Sequence, residues 1–86
     1  MKVFLVIQES VVNGEHLFGA IPCKDLETAQ KVMNENARTI LSESFFEDYV
    51  EGCDWAEMEQ GDNYFSIVAL YDDYSEFITI VPKDVV

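Results

Sequence analysis

His16, Cys23 and Cys53 carry the side chains in this 86-residue sequence that are best suited to catalysis or metal binding. Histidine ionises near neutral pH and can act as a general base, while a cysteine thiolate is a nucleophile and a zinc ligand. No other residue stands at motif spacing from His16. The thirty-position separation of the two cysteines matches no metal-ligand pattern. We therefore expect an exposed histidine and two free thiols, with no catalytic residue, metal site or cofactor, and keep an enzyme or ligand-binding domain around His16 and a cysteine as an alternative.

Acidic residues are concentrated in the second half of the chain. The formal net charge is −12, and residues 42–76 contain eleven acidic and no basic residues, whereas residues 1–41 contain five acidic and four basic residues. Direct binding to nucleic acid or to an anionic membrane needs a basic surface, so the distribution argues against both. Asp62, Asp72 and Asp73 lie in predicted turns but do not follow the calcium-loop pattern, and we expect no metal site there.

Aromatic residues are interleaved with these acids, and tyrosine and tryptophan are favoured at protein interfaces. A surface of carboxylates and tyrosines suits a basic partner, so we predict a non-enzymatic protein-interaction module. One alternative is a nucleic-acid-mimic inhibitor of a basic protein, of the phage or mobile-element type. Another is that the aromatics form the core and the acids only confer solubility. The candidate partner-binding residues are Tyr49, Glu51, Asp54, Trp55, Glu57, Glu59, Tyr64, Tyr71, Asp72, Asp73 and Tyr74.

The elements that position these residues begin with a predicted β-hairpin. The apolar run Val3–Ile7 is typical of a strand buried on both faces, and a weaker pattern continues it to Val12. Asn13-Gly14 is a strong signal for a two-residue type I′ turn, and residues 15–21 return as the second strand. Such a turn places Ile7 opposite Ala20 and Val6 opposite Ile21.

Small residues mark the second strand of this hairpin. Gly19 and Ala20 lie opposite bulkier residues, which indicates that another element packs closely over the strand. Pro22 has no N–H to donate, and we expect it to end the strand.

A helix follows, with Asp25 as its N-cap and Glu27 in its first turn. Apolar residues recur at three- and four-residue spacing as far as Leu41, which indicates one buried face. Continuation of the helix through Phe45-Phe46 to Tyr49 stays open.

Three more strands are predicted after the break at Gly52, over residues 53–60, 64–71 and 76–81. The first alternates, with the acids and Trp55 on one face and Ala56 and Met58 on the other, which is typical of an edge strand. Pro82 is expected to end the last strand.

The order β-β-α-β-β-β predicts a single α+β domain over residues 1–86, in which one main helix packs on one face of an antiparallel sheet of four or five strands. In Val3–Ile7 and in residues 64–71, apolar residues occur at both odd and even positions, which face opposite sides of a sheet. This pattern indicates that the second sheet face is also covered, and we predict a homodimer in which a second copy covers it.

The run after Lys2 is too short for a signal-peptide core, and no stretch reaches the ~18 apolar residues of a membrane span. We therefore expect a cytoplasmic protein with reduced cysteines. The layout resembles that of short bacterial and mobile-element proteins in its opening Lys-Val-Phe-Leu-Val strand, its helix start at Asp25–Ala29 and its acidic, tyrosine-rich hairpin. The resemblance implies no activity and no site residue.

Overall fold

The protein folds into one five-stranded antiparallel sheet with a helix across one face, as the sequence predicted. The computed structural model describes residues 2–43 and 45–85. Its elements are β1 (Lys2–Val12), β2 (Glu15–Cys23), α1 (Leu26–Ser42), β3 (Ala56–Gln60), β4 (Tyr64–Ala69) and β5 (Tyr74–Asp84). The strand order is β2-β1-β5-β4-β3, so β2 and β3 form the two edges of the sheet.

The β1–β2 hairpin has the predicted turn and register. Asn13 and Gly14 have φ values of 52° and 81°, the left-handed geometry that a type I′ turn requires. Ile7 pairs with Ala20 and Val6 with Ile21. The hairpin register was therefore readable from the Asn-Gly pair alone.

Both proline predictions were wrong, because Pro22 and Pro82 lie inside strands that continue to Cys23 and Asp84. Pro22 is in the edge strand β2, and its ring nitrogen faces away from β1, where no ladder hydrogen bond is lost. Pro82 pairs with Phe4 outside the span of β4, whose first residue, Tyr64, pairs with Thr79, so its missing N–H has no strand to bond.

The helix α1 begins at its predicted cap. Asp25 Oδ1 accepts a hydrogen bond from the Thr28 N–H at 2.7 Å, and this bond holds the pKa of Asp25 below its ordinary value. The helix ends at Ser42, so it does not continue to Tyr49; hydrogen-bonded turns follow it instead. Ala29, Met33, Ala37 and Ile40 form its buried face.

The three C-terminal strands differ from prediction at their ends. β3 begins at Ala56, which leaves residues 53–55 in the preceding loop, and β4 ends at Ala69. β5 begins two residues early, at Tyr74. Phe65, Ile67, Ile78 and Ile80 of the central strands pack under the helix and form the core with its buried face.

The register assigns alternate residues to two different faces. On the helix face, Val6 lies beside Ile80, and Phe65 lies beside Ile78. The opposite face, hereafter the open face, carries residues of odd number in β1 and β5 and of even number in β2 and β4, including Leu5, Ile7, Phe18, Val68 and Phe77. No helix in residues 2–43 and 45–85 has the length and apolar content of a membrane span.

A candidate acidic binding cleft

Five aromatic rings hold the loop after α1 against the end of the sheet. The Phe45 ring stacks on Tyr74 with centroids 4.6 Å apart, and Phe46 stacks on Trp55 at 6.1 Å. Tyr49 meets the edge of Trp55 at 6.4 Å. Phe46 is buried, and the other four are partly buried against the core. Tyr49, Trp55 and Tyr74 are therefore first of all packing residues, which fix the loop in place.

Backbone contacts complete the positioning of this loop, residues 45–55. The Leu70 N–H donates to the Trp55 carbonyl at 2.9 Å, which ties the loop to the end of β4. Gly52 has a φ of +85°, a geometry that favours glycine, and the Cys53 N–H donates to the Val50 carbonyl at 3.1 Å. The chain thereby turns back toward β3 directly after Tyr49.

The turn leaves a cleft of about 470 Å³ between the loop and the edge strand β3. We call it the acidic cleft. It is lined by Tyr49, Glu51, Gly52, Cys53, Ala56, Glu57, Met58 and Glu59. Four of the predicted partner-binding residues, Tyr49, Glu51, Glu57 and Glu59, thus share one concave site.

The acidic cleft combines negative charge with an apolar wall. Glu51, Glu57 and Glu59 are exposed, whereas Tyr49 and Met58 are half-buried. Burial, followed by the proximity of Cys53 and Glu51, raises the pKa of Tyr49. Such a lining suits a lysine or arginine side chain, whose apolar stem can lie on Tyr49 and Met58 while its head meets carboxylates.

Seven exposed carboxylates surround the end of the sheet next to this cleft, and we call them the acidic end. They lie after the last turn of α1, in the loop and in the β4–β5 turn: Glu43, Glu47, Asp48, Glu51, Asp54, Asp72 and Asp73. The last helical turn contains no basic residue, so the negative pole of the helix adds to their field.

The remaining predicted site residues lie outside the cleft. Asp54, Asp72 and Asp73 belong to the acidic end, and Tyr71, which is 79% exposed, lies beside them in the β4–β5 turn. Tyr64 lies at the other end of β4 and packs over Gly61, where an added Cβ would meet its ring. The structure therefore brings most of the predicted set to one end of the molecule but not into one pocket.

Two titratable side chains among residues 42–76, Tyr74 and Glu76, contribute to the fold rather than to a binding surface. The Tyr74 hydroxyl donates to Glu43 Oε2 at 3.1 Å, and burial, with the nearby Glu43 charge, raises the pKa of Tyr74 to about 12. Glu76 is 4% exposed and lies on the helix face of β5. Its Oε2 accepts hydrogen bonds from Ser10 Oγ at 2.6 Å and Gln8 Nε2 at 3.4 Å.

His16 and the thiols are not brought together. His16 is exposed and its Nδ1 lies 3.3 Å from Glu9 Oε1, while Cys23 is a buried free thiol at the end of β2. Cys53 is also free, and its Sγ donates to the Ala56 carbonyl at 3.5 Å. Within residues 2–43 and 45–85, no group of three histidine, cysteine, aspartate or glutamate side chains could hold a metal ion.

A second cleft, of about 440 Å³, lies between α1 and the β3–β4 turn. Its amides are paired across it: Gln60 Nε2 donates to Asn34 Oδ1 at 3.2 Å, and Gln30 Nε2 donates to Asn63 Oδ1 at 3.1 Å. These bonds fasten the helix to the turn, and the cleft offers few free polar groups to a ligand.

Sequence reasoning found the acids of the acidic cleft but not its shape. Gly52, Cys53, Ala56 and Met58 complete the lining. The predicted edge strand over residues 53–60 included the last three of them but did not assign them to a site. The concavity depends on the turn at Gly52, which the sequence marked as a break between elements without indicating how the chain turns there. Comparison of the chain with protein-family models, with curated proteins and with solved structures gave no match.

Proposed function

We propose that this protein is a non-enzymatic interaction module that binds a basic protein by taking a lysine or arginine side chain into the acidic cleft. The observation that carries the proposal is the lining of that cleft along the β3 edge, to which Glu51, Glu57 and Glu59 contribute charge and the half-buried Tyr49 and Met58 contribute apolar surface. Glu57 and Glu59 lie on the open face of β3 and Met58 on its helix face, so the cleft joins the two at the edge of the sheet. A single cationic side chain can meet charge and apolar surface there together, which exposed acids on a convex surface do not provide.

The acidic end supports the same proposal at longer range. Its seven carboxylates create a negative field that accelerates encounter with a cationic partner and favours the correct orientation. Tyr71 and Val50, which are 79% and 63% exposed, lie in the same segments and supply apolar contact area. This combination of exposed apolar residues within a charged surround resembles the anatomy of protein interfaces.

The open face is a further surface on which a protein can dock, and the homodimer predicted from the sequence would use it. Phe18 and Val81 are apolar residues of this face and are 71% and 38% exposed, which favours burial of the face by a second copy. Glu57 and Glu59 lie on this face of β3, and they would meet like charge in many face-to-face arrangements.

The experiment is a capture from cell lysate on immobilised protein, eluted with increasing salt. The test variant is Glu51→Gln/Glu57→Gln/Glu59→Gln, which removes the three carboxylate charges of the acidic cleft. The matched control, Glu27→Gln/Glu35→Gln/Asp62→Asn, removes the same charge from exposed sites elsewhere. We expect a basic protein that elutes with salt, is retained by the control and is lost with the test variant.

Equal loss of the captured protein with the test variant and with the control would show that binding depends only on net charge. Absence of any salt-released protein would contradict the proposed function. A captured nucleic-acid-binding protein that is displaced by added DNA would favour the mimic inhibitor instead.

A further inference from the structure

Most of the outer edge of β2 has no charged side chains that would hinder pairing with a strand of another chain, whereas the β3 edge has such side chains. β3 has five residues, and two of them, Glu57 and Glu59, are exposed acids that oppose pairing with another strand. β2 has nine residues, and no charged side chain occurs between His16 and Cys23. Leu17, Phe18 and Ile21 are 61%, 71% and 46% exposed, so the strand is open on both faces as well as along its edge.

The helix leaves the middle of β2 uncovered, although Cys23 at the end of the strand is buried in the core. Gly19 lies on the helix side of the sheet, yet a Cβ placed there would meet nothing within 4 Å. The expectation that an element packs closely over this strand was therefore wrong. The space beside Gly19 is open to an occupant from outside the chain.

The hairpin geometry determines which backbone groups point outward. Val12 and Glu15 close the two-residue turn as a hydrogen-bonded pair, and such pairs alternate along an antiparallel ladder. The N–H and C=O groups of His16, Phe18 and Ala20 therefore point away from β1 into solvent. Pro22 follows the same parity, and its missing N–H is consistent with this assignment.

We propose that β2 pairs antiparallel with β2 of a second copy, about a two-fold axis at Phe18, to give a continuous ten-stranded sheet. In this register His16 faces Ala20 of the second copy, and every outward N–H and C=O of these three residues finds a partner. Shifting the register by two residues toward the turn loses some of these pairs, and shifting it the other way brings in Pro22, which has no N–H. Leu17 then lies opposite Gly19 of the second copy, where the open space accepts it.

The charge distribution favours dimerisation through the β2 edge over dimerisation through another surface of the protein. Residues 1–41 carry nearly balanced charge, whereas residues 42–76 carry eleven acids, and β3 lies four strands away from β2. At about 4.8 Å per strand, the two acidic β3 edges of the dimer are roughly 40 Å apart. That separation is several times the Debye length of about 8 Å at physiological salt, so these two edges repel each other little.

The interface is small, which makes the dimer weak. One strand of nine residues, with its exposed apolar side chains, buries less than the roughly 800 Å² per partner of a typical stable complex. Association is therefore expected only at high protein concentration. It is also expected to depend only weakly on salt, because the acidic β3 edges of the two copies are several Debye lengths apart, whereas binding of a basic partner weakens with salt.

Sedimentation velocity over about 1 to 500 µM tests the proposal, with Ala20→Pro as the variant and Ala20→Val as its matched control. The proline removes one outward N–H per copy and leaves the β1 ladder intact. We expect the dissociation constant to rise about tenfold or more for Ala20→Pro and to change little for Ala20→Val. If circular dichroism shows that Ala20→Pro is unfolded, Phe18→Lys serves instead, because it places like charges opposite each other at the axis.

Amide hydrogen exchange identifies the surface used. In dilute protein, the amides of Leu17 and Gly19 are protected by β1 and those of Phe18 and Ala20 exchange rapidly; in the dimer all four are protected. A wild-type chain that stays monomeric to 500 µM overturns the proposal. So does a dimer in which the Phe18 and Ala20 amides still exchange rapidly, since a second copy then covers another surface, such as the open face.

Discussion

At the scale of single residues, neighbouring aromatics in one acidic segment have different roles. Trp55 and Tyr74 pack against Phe45 and Phe46, and Tyr49 packs against Trp55, whereas Tyr71 is 79% exposed in the β4–β5 turn. The sequence shows all of them as aromatic residues between acids, and the difference depends on contacts between segments that are distant along the chain. Residue type therefore predicted the composition of the site but not which side chains a partner can reach.

Glu76 gives a test of what a buried carboxylate contributes. Its hydrogen bonds come from Ser10 and Gln8, which are neutral, and no cation is paired with it among the described residues. Glu76→Ala leaves the Ser10 hydroxyl without its acceptor, and we expect a loss of about 2–3 kcal/mol in the free energy of unfolding. Glu76→Gln keeps an acceptor and removes the buried charge, so we expect stability within about 1 kcal/mol of wild type.

Urea denaturation of the two variants measures both values. Equal destabilisation by alanine and glutamine would show that the charge itself is required, which contradicts this account of the network.

Tyr74 predicts a pH dependence in the alkaline range. The unfolded phenol ionises near its ordinary pKa of 10, and the folded phenol near 12, because the ring is partly buried beside Glu43. The folded state therefore retains the proton more strongly between these values. Its contribution to stability is complete below pH 10 and is lost as the pH rises through 12.

We expect the stability difference between wild type and Tyr74→Phe to shrink from pH 9 to pH 11.5, measured by urea denaturation at each pH. The phenylalanine variant has no phenol to ionise at this position. A difference that stays constant over this interval would contradict the assigned environment of Tyr74.

At the scale of elements, local signals predicted whatever depends on local chemistry. The Asn13-Gly14 turn, the hairpin register and the Asp25 cap follow from a few neighbouring residues and are confirmed. The strand ends at Pro22 and Pro82 were predicted wrongly, because the effect of a proline depends on whether its nitrogen faces another strand. That depends on the order β2-β1-β5-β4-β3, which the sequence does not show.

The hairpin offers a matched pair of glycine substitutions. Gly14 has a φ of +81°, and a Cβ there would lie 3.4 Å from Asp73 Oδ2, whereas Gly19 is in a strand with open space around it. We expect Gly14→Ala to destabilise the protein by about 1 kcal/mol or more, and Gly19→Ala to be neutral or stabilising by about 0.5–1 kcal/mol.

Thermal or urea unfolding in dilute solution distinguishes the two glycine variants. Comparable destabilisation by both would mean that the backbone geometry at the turn is not what limits substitution there.

At the scale of the whole molecule, charge is distributed along the sheet. Lys2, Lys24 and Lys83 lie at one end of the long strands, and the acidic end lies at the other, in a molecule measuring 44 × 25 × 17 Å. The acidic cleft is at the β3 edge, opposite the neutral β2 edge. The proposed pairing through β2 would leave both acidic clefts free, roughly 40 Å apart at opposite edges of one sheet, so the dimer would present two of the proposed cation-binding sites.

The central claim is that the acidic cleft binds a cationic side chain of a protein partner. Its most direct test is the dissociation constant for the captured partner, measured by titration calorimetry at several salt concentrations with wild type, Glu51→Gln/Glu57→Gln/Glu59→Gln and the charge-matched control. We predict weaker binding and a shallower salt dependence for the cleft variant, with the control close to wild type. Identical affinities and salt dependences for the cleft variant and the control would contradict the claim.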